Sequence, residues 1–143
     1  MVASLSESFV MSKILVIDDN HQLRHVVCCI LEREGHSVVW AGDGIEGLAT
    51  FRAELPDLVI TDMCMPGLDG ADTIVGIRQE APNTRIIAIS GGGHIDGLHP
   101  LTVARRLGAV ETLGKPFTID DLVSSVTRAI GSPPILLENQ CLA

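Results

Sequence analysis

Apolar residues fall into five short runs: Ile14–Ile17, Ser37–Ala41, Leu58–Thr61, Ile86–Ser90 and Ala109–Leu113. Each is rich in Val, Ile or Ala and close to continuous, the pattern of strands buried on both faces of a parallel sheet. Glu111 interrupts the fifth. The segments between them repeat with a helical period. From Gln22 to Glu34 the apolar stripe is Leu23, Val26, Val27 and Ile30, and Gly35 ends it. A second helix is expected from Ile45 to Glu54, stopping before Pro56. A third follows Asp69-Gly70, with Ile74 and Ile77 on one face. The fourth runs from Leu101 to Leu107, between Pro100 and Gly108. The fifth opens on a capping box, Thr118 with Asp121, carries Leu122, Val126, Ala129 and Ile130, and ends at Gly131.

Regular alternation of strand and helix predicts an α/β fold, a doubly wound five-stranded parallel sheet with right-handed crossovers. Function in such sheets sits beyond the C-terminal strand ends, where the strand order reverses. Asp18-Asp19-Asn20, Asp62, Ser90 and Lys115 are therefore the residues of interest. The pattern defines one domain over 12–131, an N-terminal extension over 1–11 and a C-terminal tail over 132–143, in which Ile135, Leu136 and Leu137 could dock on a groove or a partner.

Composition narrows the function classes. The chain of 143 residues is 46% hydrophobic and 20% charged, a globular balance, and its formal net charge of −8 disfavours direct nucleic-acid binding. The apolar runs are too short to insert in a membrane, and residues 1–10 do not read as a secretion signal, so a cytoplasmic protein is expected. Cys28, Cys29, Cys64 and Cys141 have no zinc-like spacing and are expected as reduced thiols. His21, His25, His36, His94 and His99 have no metal-like spacing either.

The strand ends carry chemistry. Asp18, Asp19 and Asp62 should meet at one edge of the sheet, and three close carboxylates call for a cation. Hard oxygen ligands with room for water suit Mg²⁺. Ser90 supplies a hydroxyl and Lys115 an ammonium. With the divalent ion these charges cancel, so a phosphoryl dianion can approach a carboxylate nucleophile. Other readings stand beside this one. Asp18 or Asp19 could cap the first helix, Asp62 could be a turn residue, Ser90 could be a loop hydroxyl or part of an anion nest with Gly91-Gly92-Gly93, and Lys115 could be a surface lysine.

The segments ILVIDDN at Ile14–Asn20, LVITDMCMPGLDG at Leu58–Gly70, IIAIS at Ile86–Ser90 and LGKPF at Leu113–Phe117 resemble the receiver domain of two-component response regulators, and the likeness covers Ser12 to Gly131. The resemblance implies a flavodoxin-like (βα)5 fold with strand order 2-1-3-4-5. It implies Asp62 as phosphoacceptor, and Mg²⁺ held by Asp19, Asp62 and the Cys64 backbone carbonyl, with Asp18 acting through metal-bound water. Ser90 and Lys115 would each contact a phosphoryl oxygen, and the Lys115-Pro116 peptide would be cis. Members usually carry Tyr or Phe three residues before the lysine; Thr112 stands there, and the chain has no tyrosine. The stretch from Ser90 to Lys115 is also a few residues longer than is usual, around Gly91 to Pro100. The switch, expected at Ser90 and Thr112, therefore departs from the common pattern.

The leading functional expectation is a stand-alone phosphorylation-controlled binding module. It is fed by a sensor histidine kinase or a histidine phosphotransfer protein, acts on a downstream protein, and is not an enzyme beyond its own phosphorylation and dephosphorylation. A phosphorelay intermediate or phosphate sink is the alternative. A phosphohydrolase of the haloacid-dehalogenase type is disfavoured, because Asn20 follows Asp18-Asp19 where a D-x-D-x-T motif would be needed.

Overall fold

The computed structural model describes residues 11–65 and 67–131. The expectations for the C-terminal apolar tail and for Cys141 lie outside the described residues. The elements are β1 (Lys13–Ile17), α1 (His21–Arg33), β2 (Ser37–Ala41), α2 (Gly44–Glu54), β3 (Leu58–Asp62), α3 (Gly70–Glu80), β4 (Arg85–Ser90), α4 (Pro100–Arg106), β5 (Glu111–Gly114) and α5 (Ile119–Gly131). All strand pairs are parallel, in the order β2-β1-β3-β4-β5.

Side chains alternate across each strand, so a continuous apolar run feeds two cores. Ile14, Val16, Leu58, Ile60, Ile87 and Ile89 face α1 and α5, meeting Val27, Leu31, Leu122 and Val126. Leu15, Ile17, Val59, Ile86 and Ala88 face the other helices, meeting Phe51, Ile74, Ile77 and Leu101. The crossovers thereby bring all five strand C-termini to one edge.

Three expectations need correction. The second run is not buried on both faces: β2 is an edge strand, and Trp40 is 53% exposed. Val26 belongs to the stripe by spacing but is 50% exposed, because the buried face of α1 is centred on Val27 and Leu31 and takes in Arg24 and Cys28. The fifth strand starts at Glu111, not Ala109. Gly108, at φ +98°, ends α4, and the Ala109 N–H turns back to the Ala104 carbonyl as a helix cap instead of joining the ladder. Glu111 is tolerated in a strand because its carboxylate accepts from Arg128 Nε and Nη2 and from Ser125 Oγ. The α5 capping box forms reciprocally, with Thr118 N donating to Asp121 Oδ2 and Asp121 N to Thr118 Oγ1, both at 3.0 Å. α4 begins at Pro100, one residue earlier than expected, because His99 caps it through Nδ1.

Candidate functional site

β1 ends one residue before Asp18, and β3 ends in Asp62. These adjacent central strands run parallel, so their acidic ends emerge side by side. Asn20, not Asp18 or Asp19, caps α1, accepting from the Leu23 N–H at 3.0 Å. Asp18 Oδ1 instead accepts from the Asn20 N–H at 2.9 Å, which turns the loop and aims both acids at the sheet edge. One carboxylate oxygen each from Asp18, Asp19 and Asp62 lies within 4.8 Å of the other two. Asp18 and Asp62 are buried while Asp19 is exposed, so the cluster opens to solvent on one side.

Lys115 follows β5 and is placed by its own N–H, which donates to the Ser90 carbonyl at 2.9 Å. The Lys115-Pro116 peptide is cis. Lys115 Nζ stands 3.2 Å from Asp62 Oδ1 and 4.0 Å from Asp18 Oδ2. The close approach is an ion pair without hydrogen-bond alignment, and Asp62 Oδ1 remains buried with no hydrogen-bond donor. Burial, with the Asp18 charge adding to it, pushes the Asp62 carboxyl up to about 6 against the attraction of Lys115. Asp18 is raised too, chiefly by burial. One ammonium therefore does not balance the cluster. Three converging hard oxygens, with the cluster open to solvent on the Asp19 side, fit a small divalent cation.

Ser90 ends β4 beside this cluster. Its hydroxyl donates to the Gly92 carbonyl and accepts from the Gly92 N–H, both at 3.1 Å. Cys64 lies in the loop after β3, and its exposed thiol reaches the same Gly92 carbonyl at 3.4 Å. Thr112 pairs with Ala88 in the sheet, and its hydroxyl accepts from Arg105 Nη2 of α4 at 3.1 Å; the structure does not join it to Ser90. The loop after Ser90 uses its glycines for particular turns. Asp96 and Gly97, at φ +50° and +80°, close a small antiparallel bridge between Ile95 and Leu98, the positive-φ pair that an Asp-Gly turn favours. Gly70 starts α3 hard against β3: an added Cβ would collide with the Asp62 carbonyl and the Met63 backbone. None of the five histidines joins the acidic cluster.

Sequence reasoning missed Arg24. It is 6% exposed and donates to the Asp18 carbonyl at 2.9 Å. Its one visible signal is a charged residue set among the buried positions of α1.

The family model for the response regulator receiver domain matches residues 14–127. Sporulation initiation phosphotransferase F of Bacillus subtilis is 31% identical over 116 residues, 81% of this chain and 91% of that protein. The DNA-binding transcriptional regulator NtrC of Azospirillum brasilense is 38% identical over 87% of this chain, which spans only 26% of that longer protein. A response regulator receiver domain protein from Clostridium thermocellum superposes with a TM-score of 0.77 at 34% identity, covering 93% of this chain and 100% of its own. A match that long, with relatives above 30% identity across most of the chain, means that this protein belongs to the response regulator receiver domain family.

Proposed function

We propose that the domain accepts a phosphoryl group from a histidine kinase on Asp62, with Mg²⁺, and acts as a phosphorylation-controlled protein-binding switch. The observation that carries this is the buried Asp62 Oδ1, an acceptor without a donor 3.2 Å from Lys115 Nζ. A nucleophilic carboxylate needs a lone pair not tied up in hydrogen bonds, and Asp62 Oδ1 has only the Lys115 ammonium beside it. Asp19, Asp62 and the Cys64 backbone carbonyl would hold Mg²⁺, with Asp18 holding a metal-bound water. The ion supplies charge neutralisation at the phosphoryl oxygens. An Asp62 oxygen attacks phosphorus, the bond from phosphorus to the donor imidazole nitrogen breaks, and its electron pair leaves with that nitrogen. Lys115 draws one phosphoryl oxygen. The Ser90 hydroxyl releases the Gly92 carbonyl to donate to another, which frees the loop leading to α4. Thr112, tied to Arg105 of α4, couples to that movement through the helix and not through an aromatic side chain.

The chain catalyses nothing else in this reading. It is cytoplasmic, where its kinase delivers phosphate, and it contacts a protein partner and not nucleic acid, in keeping with its net charge of −8. No described helix is long and apolar enough to cross a membrane. Incubation with acetyl phosphate and Mg²⁺ followed by intact-mass measurement tests the acceptor. One phosphoryl group should add, and neither Asp62→Asn nor the chelated protein should gain it; full labelling of Asp62→Asn sinks the assignment. The relay reading has its own support, because a relative covered over 91% of its length is named a phosphotransferase. Transfer from the labelled domain to an isolated histidine phosphotransfer protein would favour it.

A further inference from the structure

Arg24 is a buried cation that makes no ion pair within 4.0 Å among the described residues. Burying a guanidinium without a carboxylate is costly unless its donors are used well. Arg24 Nη1 donates to the Asp18 carbonyl at 2.9 Å, and Nη2 meets His21 Nδ1 at 2.8 Å. The guanidinium carbon lies 4.0 Å from the centroid of the Trp40 ring on edge strand β2. A ring face under a desolvated guanidinium adds a cation–π attraction. It also explains why a half-exposed tryptophan occupies an edge strand. Gly42, just past β2, leaves the space: a Cβ there would stand 3.3 Å from Arg24 Nη1.

The bond to Asp18 falls where the chain leaves the sheet. The Asp18 N–H still donates to Ala41 O, but its carbonyl has moved beyond the β1 ladder. Arg24 takes up that carbonyl, while the Asp18 side chain holds the Asn20 N–H. The peptide planes from Asp18 to Asn20 are thereby pinned at both ends, and these planes decide whether Asp18 and Asp19 point at Asp62.

We propose that Arg24, seated over the Trp40 ring, is a positioning residue of the acidic pocket, holding the Asp18–Asn20 loop in the conformation in which the carboxylates converge on a divalent cation. The proposal deepens the reading of the pocket as a metal-assisted phosphoryl site and rests on it for its chemistry. Arg24 touches neither metal nor phosphoryl group; it acts through the Asp18 backbone. Lysine cannot replace it, because one ammonium cannot lie flat on the ring and also present a planar fork to two acceptors. Trp40, near the C-terminal end of edge strand β2, is then coupled to metal affinity without contacting the metal.

Mg²⁺ affinity of the unphosphorylated full chain, read from amide chemical shifts during MgCl₂ titration, tests this. Urea unfolding of each variant establishes that it is folded under the titration conditions. Arg24→Met should raise the Mg²⁺ Kd about tenfold, the lower end of what losing an outer-shell partner costs. Arg24→Lys should recover less than half of that loss on a logarithmic scale. Trp40→Leu should raise the Kd about threefold, and the double variant should be no worse than Arg24→Met, since both changes break one clamp. If Arg24→Met does not fold, Arg24→Lys and Trp40→Leu decide the matter. Folded Arg24 variants that bind Mg²⁺ like the wild type, or an Arg24→Lys variant with wild-type affinity, overturn the proposal. Acetyl phosphate labelling separates the two readings. If wild-type Asp62 is not labelled but Mg²⁺ affinity still falls in Arg24→Met, the phosphoacceptor reading fails and the positioning role stands.

Discussion

Two charged centres sit at opposite ends of the sheet and are built in opposite ways. At the N-terminal end of β4 and β5, Arg78 of α3 donates to four backbone carbonyls: Leu107 through Nε, Pro82 and Thr84 through Nη1, and Gly108 through Nη2. Its polar atoms are used, and the loops before β4 and β5 are stitched to one helix. At the C-terminal end, three carboxylates converge with one lysine, and Asp62 Oδ1 has no donor. A satisfied charge spends its interactions on folding, while an unsatisfied buried one keeps them for a ligand. The first should therefore matter for stability and not for chemistry, and the second the reverse.

The largest effect expected from that contrast is at the clamp. Arg78→Met strips donors from four carbonyls, some of which water can reach, and should cost about 3 kcal/mol in urea unfolding. Acetyl phosphate labelling of the folded fraction should persist. A loss below about 1 kcal/mol, or a specific loss of labelling, would break the contrast.

Asp62→Asn should do the opposite. A carboxyl raised to about 6 by burial binds its proton more tightly folded than unfolded. Its contribution therefore favours the fold fully below the unfolded carboxylate range and is lost as pH rises through about 6. Without metal at pH 7.5, removing the charge should stabilise the domain by up to about 3 kcal/mol, at about 1.4 kcal/mol per pH unit between the usual carboxylate value and about 6. The metal-free wild type should lose stability between pH 4 and 7 relative to Asp62→Asn, and saturating Mg²⁺ should close the gap. Equal stability of the two proteins across that range, measured by thermal unfolding, would show that the carboxylate is not under strain.

A smaller effect calibrates both. Thr118→Ala removes one arm of the α5 capping box, three residues after Lys115 and without contact to the carboxylates, and should cost about 1 kcal/mol with labelling unchanged. If it perturbs labelling as much as stability, the cap of α5 also places Lys115, and stability and chemistry are not separable at that end of the sheet.

Strand–helix alternation and the candidate site were legible in the sequence for a local reason. Continuous apolar runs and 3.6-residue stripes encode burial within a few residues, and Asp18, Asp19, Asp62, Ser90 and Lys115 each follow or end such a run. Gly35 and Gly108 likewise mark helix ends through their own backbone conformation. What the local pattern could not reveal depends on partners distant in the chain. Only tertiary structure showed that β2 lies at an edge, leaving Trp40 half exposed, and that the buried face of α1 excludes Val26 and includes Arg24. Glu111 reads as a flaw in a strand until Arg128 and Ser125 come over it. Arg78 reads as an ordinary helix residue until the chain returns with Leu107 and Gly108. The orphaned oxygen of Asp62 is the same kind of fact: type and position in sequence establish a carboxylate at a strand end, but whether a donor reaches it is decided by how β1, β4 and β5 close around it. Periodicity reports whether a residue is buried, whereas the pairing of polar groups depends on which surfaces the folded chain brings together.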